Sequence, residues 1–181
     1  NVPLIDAQRA LRMVRYHAKD FNITKDKIGV IGFSAGGHLA STLGTHFLEP
    51  VYDAIDAADT ESARPDFMVL GYPVISMGPM THEGSKANLL GKNPTQKLQD
   101  YFSNEKQVTT NTPPTFLLHA TDDNAVPVEN SLLFYKALKD KGVSATMHIF
   151  PNGGHGFSLA LNDQYLKGWT ALMSDWIVSL E

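Results

Sequence analysis

Six residues constrain this chain more than any others: Gly32-Phe33-Ser34-Ala35-Gly36-Gly37. They stand between the apolar run Ile28-Gly29-Val30-Ile31, which reads as a short buried strand, and a stretch where Leu39, Ala40, Leu43 and Phe47 recur at helical spacing. A Gly-x-Ser-x-Gly at such a junction predicts a sharp strand-to-helix turn that holds a serine hydroxyl above a sheet. Glycine is expected at 32 and 36 because a side chain at either position would clash where backbones nearly touch. The N–H groups that open the new helix favour negative charge developing beside Ser34. Three fixed positions match by chance in about 5% of chains this long, so the strand–turn–helix setting carries more weight than the motif alone.

A serine hydroxyl is a weak nucleophile until a base takes its proton, and that base needs an acid to orient it. Where the serine sits on such a turn, the chain order is serine, acid, histidine, the last two on loops after later strands. Both loops are present. Pro114-Thr115-Phe116-Leu117-Leu118-His119-Ala120 reads as a strand that ends in Thr121-Asp122-Asp123-Asn124-Ala125-Val126-Pro127. Ala145-Thr146-Met147-His148-Ile149-Phe150 alternates like another strand and runs into Pro151-Asn152-Gly153-Gly154-His155-Gly156-Phe157. The stretch from Ser34 to Asp123 leaves room for a further strand and an insertion; that from Asp123 to His155 fits one helix plus one strand. His155 is flanked by glycines, which lets its loop turn back over the sheet. His17 and His46 fall in predicted helices, His38 one turn into the helix after Ser34, and His119 and His148 in predicted strands; all five read as structural. His82 is a weaker candidate for a substrate contact.

Gly32-Phe33-Ser34-Ala35-Gly36-Gly37-His38-Leu39-Ala40, Asp123-Asn124-Ala125-Val126-Pro127 and Gly153-Gly154-His155-Gly156-Phe157 together resemble the α/β-hydrolase superfamily. Within it the chain is most similar to the acetylesterase and acetyl-xylan-esterase-like branch, which lies near the prolyl-oligopeptidase-type peptidases. Thr81-His82-Glu83-Gly84-Ser85 followed by Asn88-Leu89-Leu90-Gly91 also resembles that branch. The resemblance covers nearly the whole chain. It implies an α/β-hydrolase fold and a serine-dependent ester hydrolase that removes acetyl groups from a plant polysaccharide or oligosaccharide. It implies Ser34 as nucleophile, His155 as base, and Asp123 as acid, since the family's acid stands three residues before the Val of the Val-Pro pair. Asp122 then shapes the turn by bonding its own backbone. The N–H of Ala35 supplies one oxyanion donor. The second belongs to a His-Gly-Gly-Gly-like loop, and no such segment precedes residue 34. The chain is therefore expected to be the C-terminal portion of a longer domain, with N-terminal strands missing and the second donor upstream of residue 1. Two other readings stay open: a prolyl-oligopeptidase-type serine peptidase, which would need upstream acidic residues or a propeller domain, and a non-catalytic hydrolase-like binding module.

With 181 residues, 43% apolar and 19% charged, the chain is expected to form one globular domain, 1–181, rather than a disordered segment. A net charge of −4 with scattered Lys and Arg disfavours nucleic acid as a partner. No apolar run approaches a membrane span. There is no cysteine, no histidine cluster with metal-ligand spacing, no phosphate loop and no Gly-x-Gly-x-x-Gly, so neither a cofactor nor a metal is expected. The expected partner is a small ester or acetylated saccharide. Oligomeric state stays open, as does localisation, because a signal region would lie upstream of residue 1.

The remaining pattern alternates regularly. Pro3 to about Asp20 is amphipathic, with Leu4, Ala7, Leu11, Val14 and Ala18 on one face. Residues 49–64 read as a polar connection with a short helix, and Phe67 to Tyr72 as a strand closed by Pro73. Residues 76–112 form a long irregular insertion of lid-like character. Val128 to Lys141 reads as a helix ended by Gly142, and Asp163 to Leu180 as a closing helix with Leu166, Trp169, Leu172, Met173 and Trp176 as its buried stripe. Four strands, each followed by helix or insertion, predict a parallel sheet with helices on both faces.

Overall fold

In the computed structural model, which describes residues 2–180, helix α1 spans Val2–Tyr16, strand β1 Val30–Phe33, helix α2 Ala35–His46 and strand β2 Met68–Gly71. The insertion carries α3 (Glu83–Leu90) and α4 (Gln96–Tyr101); β3 (Thr115–Ala120), α5 (Glu129–Asp140), β4 (Ala145–Phe150) and α6 (Trp169–Val178) follow. The strands form one parallel sheet in the order β1-β2-β3-β4.

Register decides what each face buries. Val30, Met68, Thr115 and Ala145 align across the sheet, so successive residues point to opposite faces. Met68, Leu70 and Leu117 meet Ala40 of α2 and Phe134 and Leu138 of α5 on one face. Val69, Phe116 and Leu118 meet Trp169 and Trp176 of α6 on the other. α1 lies against α2, where Leu4 and Leu11 pack on Leu43 and Ile28. Fully burying side chains of this size contributes about 1.5–3 kcal/mol each. The helices do cover both faces.

Two expectations need correction. Ile28 is buried but precedes the first strand, and Ile31 within it is 52% exposed. Among the described residues β1 pairs with β2 alone, which leaves it less covered than the strands inside the sheet. The closing helix starts at Trp169, because the carboxylate of Asp163 accepts the N–H groups of Tyr165 and Leu166 and holds a tight turn first. Leu166, Trp169 and Trp176 are buried, but Leu172 is 42% exposed, rotated off the stripe that faces the sheet.

The 76–112 segment is tied down by buried polar side chains. Asn130 of α5 accepts the N–H groups of Ile75 and Ser76, each at 3.0 Å, and donates to the carbonyl of Met80 at 2.8 Å. The Nε2–H of His38 on α2 donates to the carbonyl of Phe102 at 2.8 Å. Asn104 donates to Ser41 and Thr42 of the same helix. The Nδ1 of His82 accepts the Ser85 N–H and caps α3. The outcome places all four strand C-termini at one end, where loops gather in open parallel sheets.

Candidate active site

The turn after β1 holds Ser34 at φ 53° and ψ −121°, left-handed backbone that a non-glycine residue adopts only under constraint. The constraint is visible. Ser34 N–H donates to the Gly71 carbonyl at 2.9 Å, while the Ser34 carbonyl accepts from His38 and Val74. A Cβ on Gly32 would lie 2.2 Å from the Gly36 carbonyl oxygen, and one on Gly37 would lie 2.6 Å from Pro73. The expectation for Gly36 is overturned: a Cβ there meets nothing within 4 Å, because Gly36 faces a groove instead of a neighbouring backbone. Close packing requires glycine at 32 and 37.

This turn aims the hydroxyl at the loop after β4. Ser34 Oγ lies 2.8 Å from His155 Nε2, and His155 Nδ1 lies 2.7 Å from Asp123 Oδ2. A carboxylate can only accept, so Nδ1 carries the hydrogen and Nε2 is free to accept from the serine. Gly154 and Gly156 sit at φ 60° and 82°, the backbone freedom that folds His155 back over the sheet. The ring of Tyr72, itself at φ 35°, stands edge-on to His155 with centroids 5.0 Å apart, and its hydroxyl accepts the Ser158 N–H.

Asp123 is nearly buried, and burial alone would push its carboxyl up. The Val126 N–H, the His155 ring and the Ala125 N–H outweigh that and hold it below the usual carboxylate range. Asp122 also departs from expectation. It accepts the Gly154 N–H at 2.7 Å, bracing the histidine loop, while Asp123 makes the turn's own backbone bonds.

Behind the acid lies a residue whose position sequence alone did not reveal. His119, on β3 and fully buried, donates Nε2–H to the Val126 carbonyl at 2.9 Å, and the same nitrogen is 3.3 Å from Asp123 Oδ2. Its Nδ1 is 2.8 Å from the Ser131 hydroxyl. Burial lowers the His119 pKa, which keeps the ring neutral near pH 7.

Ala35 opens α2, and the N–H groups of a helix's first turn have no partner inside the helix. Beside it runs a groove of about 430 Å³ between Ala35, Gly36 and Leu39 on one side and Met77, Leu89 and Phe102 of the insertion on the other. Chemically, the arrangement offers a hydroxyl on a base, a base on an ionised acid, and a helix N-terminus next to the hydroxyl.

Comparison with known proteins fits this geometry. The profile of the BD-FAE family matches residues 2–138. The chain is similar to an endo-1,4-beta-xylanase B of Butyrivibrio fibrisolvens, 45% identical over 168 residues that make up 93% of this chain and 26% of that protein. It is also similar to an acetylxylan esterase of Xylanibacter ruminicola, 34% identical across 99% of this chain and 36% of that protein. The crystal structure of an acetyl ester-xyloside bifunctional hydrolase from Caldicellulosiruptor lactoaceticus superposes with a TM-score of 0.93 at 52% identity, covering 98% of this chain and 65% of that one. The chain thus spans about a quarter to a third of the length of these two sequence relatives.

Proposed function

Because the chain belongs to the BD-FAE family and has an α/β-hydrolase fold, we propose that it hydrolyses carboxylic esters through Ser34, and that its substrates are acetyl groups on a plant polysaccharide or oligosaccharide. The observation that carries this reading is the continuous line from Ser34 Oγ through His155 to Asp123, at 2.8 and 2.7 Å. A binding scaffold has no physical need for such a line.

In this reading Ser34 Oγ attacks the ester carbonyl carbon while His155 Nε2 takes the hydroxyl proton. The carbonyl oxygen gains negative charge, which the Ala35 N–H and the opening turn of α2 stabilise. His155, now an imidazolium, is held by ionised Asp123 and gives its proton to the departing sugar hydroxyl as the C–O bond breaks. Water then attacks the acetyl-serine as His155 takes its proton, and His155 returns that proton to Ser34 Oγ as the acyl–oxygen bond breaks. Acetate and free Ser34 result. In the same reading the substrate enters the groove beside Ala35, which residues of the 76–112 segment wall on one side. The similarity to proteins described as an acetylxylan esterase and as an acetyl ester-xyloside hydrolase supports the acetylated-xylan substrate class.

The test is substrate competition. Acetate release from acetylated xylan, hydrolysis of short p-nitrophenyl esters and cleavage of a Pro-containing peptide are measured with wild type and Ser34→Ala. Ester turnover that vanishes in the variant, with the peptide untouched, is the expected result. Peptide cleavage dependent on Ser34, without acetate release, would favour a peptidase instead.

A further inference from the structure

We propose that His119 is a positioning residue for Asp123: its Nε2–H anchors the turn that cradles the carboxylate and lies beside the carboxylate itself. This rests on the catalytic reading of Ser34, His155 and Asp123 given above.

The geometry fixes the hydrogen. Nε2 faces the carbonyl of Val126 at 2.9 Å and Asp123 Oδ2 at 3.3 Å, and neither of those oxygens can donate. Nε2 must therefore carry the proton. The main bond goes to the carbonyl, and the nearby carboxylate oxygen feels the positive end of the same N–H dipole. Nδ1 is left bare and accepts the Ser131 hydroxyl at 2.8 Å. Both His119 and Ser131 are fully buried, so water does not compete for these bonds.

That one ring therefore acts on the acid twice. Directly, it places a donor beside Oδ2, the oxygen that holds His155 Nδ1. Indirectly, it anchors residue 126, whose N–H, with that of Ala125, holds the other oxygen, Oδ1, at 2.9 Å. Oδ2 thus accepts from His155 with the His119 Nε2–H close beside it, and Oδ1 has two backbone donors, which together orient the carboxylate toward His155. The other titratable groups facing this cluster are Tyr72, edge-on to His155, and Asp122, turned away onto the Gly154 N–H. A buried polar network of this kind specifies geometry only when every member is satisfied.

His119→Phe keeps the ring and removes the donor; His119→Gln places an amide N–H near the position of Nε2. Both are made in the complete natural protein and assayed for hydrolysis of a p-nitrophenyl ester. His119→Phe is expected to lower kcat about 10- to 100-fold, the size of losing one buried hydrogen bond and leaving its acceptor unpaired, with little change in KM. The acid limb of its kcat/KM profile moves to higher pH, because a carboxylate short of a donor holds the imidazolium more strongly. His119→Gln recovers most of the loss and returns the limb toward its original position. A His119→Phe protein with wild-type kcat and profile would overturn the proposal, and so would a loss that Gln does not relieve.

A wild-type measurement stands apart from how these variants fold. Nitrogen-15 spectra of histidine-labelled protein near pH 7 should show His119 protonated at Nε2 and bare at Nδ1. Its Nε2–H resonance should move in Asp123→Asn and stay in place in Ser34→Ala. The opposite tautomer, or a resonance indifferent to Asp123→Asn, contradicts the proposal. Failure of the catalytic reading looks different: Ser34→Ala would then retain full ester turnover whatever His119 does.

Discussion

At the scale of single residues, adjacent aspartates have different work. Asp123 Oδ2 meets His155, whereas Asp122 accepts the Gly154 N–H that positions the same loop. Asp123→Asn should lower kcat about 10⁴-fold, through loss of the correct imidazole tautomer and of the charge that holds the imidazolium. Asp122→Asn should keep most of the activity, since an amide oxygen still accepts that N–H. Steady-state kinetics on one ester checks both; the reverse ranking would shift the acid by one position. The loops that carry Ser34, Asp123 and His155 were legible because each holds a short contiguous motif whose punctuation reflects its own backbone, whereas the choice of Asp123 over Asp122 as the proposed acid rested on the family resemblance. His119 was not legible. Its partners lie four, seven and twelve residues onward, and only the folded 121–131 segment brings Asp123, Val126 and Ser131 around one ring. Gly36 was misread for a related reason, since whether a Cβ clashes depends on a neighbour that the motif does not specify.

Among the elements, the attachment of the insertion to α2 and α5 yields two measurable consequences. His38 is buried with its Nε2–H on the Phe102 carbonyl, and burial lowers its pKa to about 4. The unfolded chain binds that proton near pH 6.5 and the folded chain does not. Acidification between those values therefore favours unfolding, by about 2 kcal/mol at pH 5 relative to pH 7.5. Urea unfolding at the two pH values should show wild type losing more stability than His38→Gln by roughly this amount; equal losses would contradict the neutral buried ring. Asn130→Ala strands the N–H groups of Ile75 and Ser76 and the Met80 carbonyl, and should cost on the order of 3 kcal/mol by the same measurement. Neither anchor was legible, because polar side chains that bridge distant segments leave no periodic trace. The strands were legible, since alternating or continuous apolar runs bounded by Gly and Pro survive any packing; their ends moved by up to two residues where pairing, rather than composition, sets the limit.

For the whole molecule, a parallel sheet delivers three loops to one edge, and those loops carry a hydroxyl, an imidazole and a carboxylate in line. That architecture followed from the alternation of strands with helices, whereas the exposure of Ile31 and Leu172 depends on which strand stands at the edge and how far α6 reaches. The most direct measurement is covalent. The complete natural protein is treated with a fluorophosphonate, the modified peptide is identified by mass spectrometry, and acetate release from acetylated xylan is followed in parallel. A single adduct on Ser34, formed at the rate at which acetate release is lost and absent from Ser34→Ala, is the predicted result. An adduct on another residue, or acetate release that persists in Ser34→Ala, would contradict the assignment of Ser34 as the nucleophile.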